Sequence, residues 1–141
     1  MSASVEETLI VVKPDGVERG LVGEILKRFE AKGFTVKRLQ MLTMSRAQAK
    51  NFYGVHKDKP FFPGLVSFIT SGPVVAMVLE GPKAVDAVRQ LMGSTDPVKA
   101  APGSVRGDLG LDIQANLVHG SDSAENAAQE IKLFFPRRKW E

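Results

Sequence analysis

The sequence predicts an α+β fold, a four-stranded sheet with helices packed on one face. Three observations carry this expectation. Short β-branched apolar runs alternate with stretches of helical period, Gly and Pro mark most of the changes, and no internal repeat or low-complexity tract interrupts the pattern. At 141 residues the chain has the length of one domain, long enough to bury roughly two thirds of the surface its unfolded form exposes. Residues 1–141 are therefore expected to form a single unit around one core.

Taken in order, residues 8–12 (TLIVV) read as a buried strand that runs into a turn at KPDG. Leu21, Val22, Ile25, Leu26 and Phe29 share one helical face, and Gly33 is placed to stop that helix. A second strand spans 34–42, and Ser45 with Gln48 has the spacing of a capping box that opens the next helix. The apolar segment at 61–69 continues this helical stretch before GPVVAMVLEGP, a central strand. Pro82 suits the first turn of a helix with Val85, Val88 and Met92 inward and Gly93 beyond its end. Residues 94–112 carry scattered Gly and Pro without a period and read as a long loop, a length that is usually functional or disordered. A short strand, Asn116–His119, precedes a closing helix with Ala124, Ala127, Ala128, Ile131 and Phe135 on one side and Asp122 and Glu125 as its cap.

Composition closes several classes. With 43% hydrophobic and 25% charged residues the chain is an ordinary globular sequence. It has no cysteine, which removes disulfides, thiolate metal sites and thiol nucleophiles. The opening MSASVEET shows neither a basic start nor an apolar run, and no segment approaches the roughly 18 apolar residues of a membrane span, so a cytoplasmic location without a membrane partner is expected. The net charge of +3 favours anionic partners, although part of the excess sits in the terminal PRRKW.

Neither G-x-x-x-x-G-K-[ST] nor G-x-G-x-x-G occurs, so any bound phosphate must be held by side chains. Lys13, Arg89, Thr95 and Arg106 are the candidates, because a guanidinium fork matches phosphate oxygens in pairs and an ammonium serves as a point charge. Lys13 also reads as a polar residue entering a turn, and Arg89 as a cation snorkelling beside an apolar stripe. Arg106, with glycine close by in a loop, leaves room for a ligand. His119 stands at a strand end next to Gly120, ahead of a helix start, where a neutral imidazole is a competent nucleophile. Glu130 could orient that ring only if the fold brings the two together. Tyr53, Phe61, Phe62 and Leu65 fit either core packing or a stacking surface for a base, and His56, among lysines, reads as surface.

The segments TLIVVKPDGVERGLVGEILKRFEAKGF, KPFFPGLVSFITSGPVVAMVLEG, GSTDPVKAAPGSVRGD and NLVHGSDSAENAAQEI together resemble the nucleoside diphosphate kinase family, from about Thr8 to Phe135. The resemblance implies a ferredoxin-like βαββαβ fold with an antiparallel sheet, and transfer of the terminal phosphate of a nucleoside triphosphate to a nucleoside diphosphate. It implies a ping-pong reaction through a phosphohistidine at His119, with Glu130 as its carboxylate partner, Ser121 as a neighbour and Tyr53 close by. It implies phosphate and ribose contacts from Lys13, Arg89, Thr95, Arg106 and Asn116, stacking of the base on Phe61, and a base slot lined by Leu65 and Ile113. Holding the base by stacking predicts low base selectivity. Mg2+ is expected to arrive bound to the nucleotide phosphates rather than in a protein site, and the chain is expected to form a homo-oligomer, tetramer or hexamer. Ala115 and Leu109 depart from the arginine and phenylalanine of many members. A nucleic-acid-binding module of similar topology would need aromatic residues on its strands, and TLIVV and PVVAMVLE have none.

Overall fold

The computed structural model describes residues 5–136; the opening MSAS and the basic cluster Arg137, Arg138 and Lys139 lie outside them. Four strands, β1 (Val5–Val12), β2 (Thr35–Leu42), β3 (Val74–Pro82) and β4 (Val118–Gly120), form one sheet in the order β2-β3-β1-β4, with every neighbouring pair antiparallel. Seven α-helices, α1 (Pro14–Glu18), α2 (Val22–Lys32), α3 (Arg46–Phe52), α4 (Phe62–Ile69), α5 (Ala84–Met92), α6 (Val105–Leu109) and α7 (Ala124–Phe134), and one 3-10 turn, Gly54–His56, complete the described fold.

The two crossover helices share one face, as expected: Ile25 and Phe29 of α2 and Val88 and Met92 of α5 pack on Ile10, Val12, Val75, Met77 and Leu79. The opposite face is covered as well, which corrects the expectation of helices on one face alone. There Ala49 and Phe52 of α3, Val66 and Ile69 of α4, and Ile131 and Phe134 of α7 pack on Leu9, Val11, Ala76 and Val78. The cause is written in the two central strands. TLIVV and PVVAMVLE are unbroken apolar runs rather than alternating ones, the pattern of a strand buried on both sides. The edge strand β2 instead alternates exposed and half-buried residues. Burying each large side chain such as Phe29 or Leu79 contributes about 1.5–3 kcal/mol, and two layers of them hold the sheet.

Several local features match the sequence. Gly33 closes α2 with φ 119°, Ser45 and Gln48 make both bonds of a capping box on α3, and Gly93 follows α5. Others differ for identifiable reasons. KPDG is a helix start, not a simple turn, with Pro14 in the first turn of α1 where its missing N–H costs nothing. Pro82 ends β3, and Lys83, at φ 49°, turns the chain into α5. The long loop contains α6, whose first turn is capped by the Ser104 hydroxyl accepting from the Gly107 amide. The last strand starts only at Val118, because Leu117 lies in the left-handed region with φ 78° and cannot join a ladder. Ser123, not Asp122, caps α7 by accepting from the Asn126 amide, a contact that contributes about 1 kcal/mol. Its buried side is Ala127, Ile131 and Phe134, while Ala124 and Ala128 face solvent and Phe135 falls at the cap. No helix of the described residues is long and apolar enough to cross a membrane.

Candidate active site

A cleft of about 580 Å³ opens beside the end of β4. Lys13, Tyr53, Phe61, Leu65, Arg89, Thr95, Arg106, Ile113, Asn116, His119 and Glu130 all line it. The fold thus gathers residues from the end of β1, the α3–α4 segment, α5, the long loop, β4 and α7. Ser121, the remaining candidate, is fully buried behind the wall.

β4 sets the histidine. His119 pairs with Val11 across the sheet edge, so its side chain rises on the α3 and α7 face. Its Nε2 lies 2.9 Å from Glu130 Oε1, and the Ser121 hydroxyl donates to the same oxygen at 2.7 Å. The hydroxyl in turn accepts from the Leu9 amide at 3.4 Å. Phe52 meets the ring edge-on, with centroids 4.6 Å apart. With Nε2 on a carboxylate, the ring is held in the tautomer that carries its proton there and leaves the Nδ1 lone pair unused. The imidazole remains 22% exposed, so a ligand can reach it. Gly120, whose Cβ would point to the opposite face, lets β4 lie close to α5, since a Cβ there would collide with Met92 Sδ.

Two buried cations, Lys13 and Arg106, form the floor, with the exposed Arg89 beside them. Arg106 is buried and donates to the carbonyls of Asn116 at 3.2 Å, Gly93 at 3.0 Å and Val118 at 2.6 Å. Two of its five N–H groups remain for a ligand. Burial, then the neighbouring Arg89 charge, holds its pKa down to about 10. Lys13 Nζ donates to Asn116 Oδ1 at 2.7 Å, and Asn116 Nδ2 donates to the Thr95 carbonyl at 3.0 Å, so both ends of the Asn116 amide are engaged within the protein. Burial and the Arg106 charge push Lys13 down to about 8, against the opposing pull of Asp15. Arg89 donates once, to the Gly120 carbonyl at 3.3 Å, rather than only snorkelling. Lys13 and Arg106 are desolvated cations that an anion would relieve, because a phosphate supplies the counter-charge in place of the hydration that burial removed.

The rim is different. Phe61 is 52% exposed and Ile113 60% exposed, large apolar groups left open on the cleft lining, together with the half-buried Leu65. His56, expected on the plain surface, lines the cleft with its ring 5.5 Å from that of Phe61. Tyr53 is buried, and desolvation followed by the Glu130 charge pushes its hydroxyl pKa well up, so it stays protonated. Phe52 and His56 were missed because one has the pattern of a core residue and the other sits in a lysine-rich stretch; no local signal separates them from their bland readings. Leu109, the last residue of α6, packs at the edge of the core, and Ala115 donates its amide to Asp112 in the exposed loop. Among the described residues no three His, Asp or Glu gather as a metal site.

Comparison with known proteins follows the same line. Residues 6–140 match the nucleoside diphosphate kinase family model. The chain is 64% identical over 133 residues to the nucleoside diphosphate kinase of Frankia casuarinae, covering 94% of this chain and 97% of that one. The structure is similar to that of the Aquifex aeolicus nucleoside diphosphate kinase, with TM-score 0.91 and 48% identity over 94% of this chain and 96% of that one. It is also similar to a halophilic nucleoside diphosphate kinase from Halobacterium salinarum in complex with CDP, with TM-score 0.92 and 51% identity over 95% and 90% of the two chains. The chain belongs to the nucleoside diphosphate kinase family, enzymes that move phosphate between nucleotides.

Proposed function

We propose that this chain passes the terminal phosphate of a nucleoside triphosphate to a nucleoside diphosphate through a phosphohistidine on His119. The carrying observation is the Nε2–Glu130 contact beside an open cleft into which Lys13, Arg89 and Arg106 converge. The Nδ1 lone pair attacks the terminal phosphorus, and the bond to the bridging oxygen breaks with its electron pair leaving on the diphosphate. The ring keeps its Nε2 proton and gains positive charge, which the Glu130 carboxylate balances while Ser121 holds that carboxylate in place. In the second half the terminal oxygen of the incoming diphosphate attacks the same phosphorus and the electron pair returns to Nδ1. Lys13, Arg89 and Arg106 neutralise the phosphate oxygens, where a loose transition state carries most of its charge. Tyr53, Thr95 and Asn116 border the same path and complete its walls.

Mg2+ would be held by the phosphate oxygens, since Glu130 is committed to His119 and Ser121, and would supply charge neutralisation there. The base would stack on Phe61, with Leu65 and Ile113 closing the slot, a mode that tolerates every base. The CDP held by the Halobacterium salinarum relative supports a nucleotide in this cleft. A single domain over residues 1–141 is part of this reading, supported, among the described residues 5–136, by the single sheet through which both apolar layers are joined. Exposed Leu39 and Met41 on the edge strand β2 support a homo-oligomer, tetramer or hexamer. Initial rates at varied triphosphate and diphosphate test the reaction. Parallel double-reciprocal lines and similar kcat/KM for purine and pyrimidine diphosphates are expected; intersecting lines would overturn the covalent route, and a preference for a single base would overturn the stacking assignment.

A further inference from the structure

We propose that Asp15 is a positioning residue for this site, a latch whose carboxylate holds the Leu117 peptide and so sets Lys13, Asn116 and His119 against one another; the proposal rests on the functional reading above. Asp15 Oδ2 accepts the Leu117 amide at 3.1 Å across a separation of 102 residues. From the same segment, the Lys13 amide donates to the Leu117 carbonyl at 2.8 Å. Leu117 is thereby gripped on both sides by KPDG.

The grip is needed because of where Leu117 sits. It is fully buried, and its φ of 78° is a conformation that a bulky side chain avoids unless its surroundings impose it. Without Asp15 its amide would be a buried donor with no partner, and the segment would relax toward ordinary extended backbone. The groups hung on this peptide are those of the floor. Asn116, just before it, takes the Lys13 ammonium; Val118, just after it, gives its carbonyl to Arg106; His119 is next. Gly16 completes the device, since a Cβ there would come within 3.2 Å of the Leu117 carbonyl oxygen and 2.8 Å of Val12 Cγ1. Within KPDG, Lys13 then supplies the ammonium, Pro14 the helix start, Asp15 the latch and Gly16 the clearance.

The other oxygen, Asp15 Oδ1, is buried without a hydrogen-bond partner, and the nearby Asp15 and Gly16 amides only partly offset that burial. Keeping a carboxylate there is unfavourable, and burial raises its pKa accordingly. What the charge supplies is a negative neighbour for Lys13, which otherwise faces Arg106 of α6, with Arg89 of α5, His119 of β4 and Glu130 of α7 along the same cleft.

The test compares Asp15→Ala and Asp15→Asn with the unaltered protein, reading Leu117 amide hydrogen exchange by NMR, kcat and KM of transfer, and the pH dependence of ADP affinity by calorimetry. Asp15→Ala is expected to expose the Leu117 amide to exchange and lower kcat by about 100-fold, the scale of a small misplacement of reacting groups, with a smaller change in KM. Asp15→Asn keeps an acceptor oxygen and should rescue the protection and most of kcat. Because the negative charge is gone, its alkaline loss of ADP affinity should begin at lower pH. A protected amide with unchanged kcat in Asp15→Ala, or an effect confined to melting temperature, would overturn the latch. Should Asp15→Ala not fold, the Asp15→Asn profile decides, and an unmoved alkaline limb refutes the proposal. Absence of transfer by the unaltered protein, with the exchange and affinity signatures intact, would strike the functional reading and leave the latch standing.

Discussion

The floor and the rim of the cleft are built on opposite terms. On the floor, Lys13, Arg106 and Asn116 are at most 8% exposed and tied into the protein by hydrogen bonds of 2.6–3.2 Å. On the rim, Phe61 and Ile113 are more than half exposed, and neither takes part in a buried core cluster. The difference teaches where rigidity is spent. Charge on a phosphate moves during transfer, so the groups that meet it must be in place beforehand; a base only rests, so an open apolar jaw suffices.

The largest way to break this comparison is His119→Ala. Removing the nucleophile is expected to cost at least about 10⁴-fold in kcat, read in a coupled assay, with the melting temperature nearly unchanged because the ring is partly exposed. Arg106→Ala tests the floor. It strips donors from three carbonyls, two of them in buried bonds, so stability should fall by about 2 kcal/mol and transfer by roughly 10²-fold or more, measured by denaturant unfolding and steady-state kinetics. Equal stability of this variant and the unaltered protein would mean that the floor is not wired as described. Phe61→Ala tests the rim: KM should rise roughly 5- to 100-fold for every base alike, while stability stays within about 0.5 kcal/mol.

The smallest effect is the sharpest, because its two signs oppose. Lys13 loses its proton near pH 8 in the folded chain, below the ordinary lysine value of 10.5. Between those values the unfolded chain binds more protons, so the stability of the nucleotide-free protein should rise with pH, as its buried cation is relieved. Over the same interval diphosphate affinity should fall, by about tenfold from pH 7 to 9, since the phosphate needs the charged form. Calorimetry and chemical denaturation across this range check both; parallel trends would contradict the placement of Lys13.

The same contrast explains what could be read from the chain. KPDG, the run around Arg106 and NLVHGS announced the floor, because each concentrates unusual residues in a few positions. The Ser45 and Gln48 box and the Gly33 stop were legible because capping is local chemistry. What stayed hidden needed the third dimension. Asp15 meets Leu117 over 102 residues, and Phe52 differs from any core aromatic only by the histidine it touches. The second layer of helices was written in the unbroken apolar strands, where one-sided burial would have required alternation.

The account turns on whether the imidazole of His119 takes up phosphate. Brief incubation with γ-labelled ATP and Mg2+, followed by mass spectrometry at neutral pH, should find one acid-labile phosphoryl group on His119 that is discharged on adding a diphosphate. Label on any other residue, or transfer from triphosphate to diphosphate with no phosphorylated protein ever formed, would contradict it.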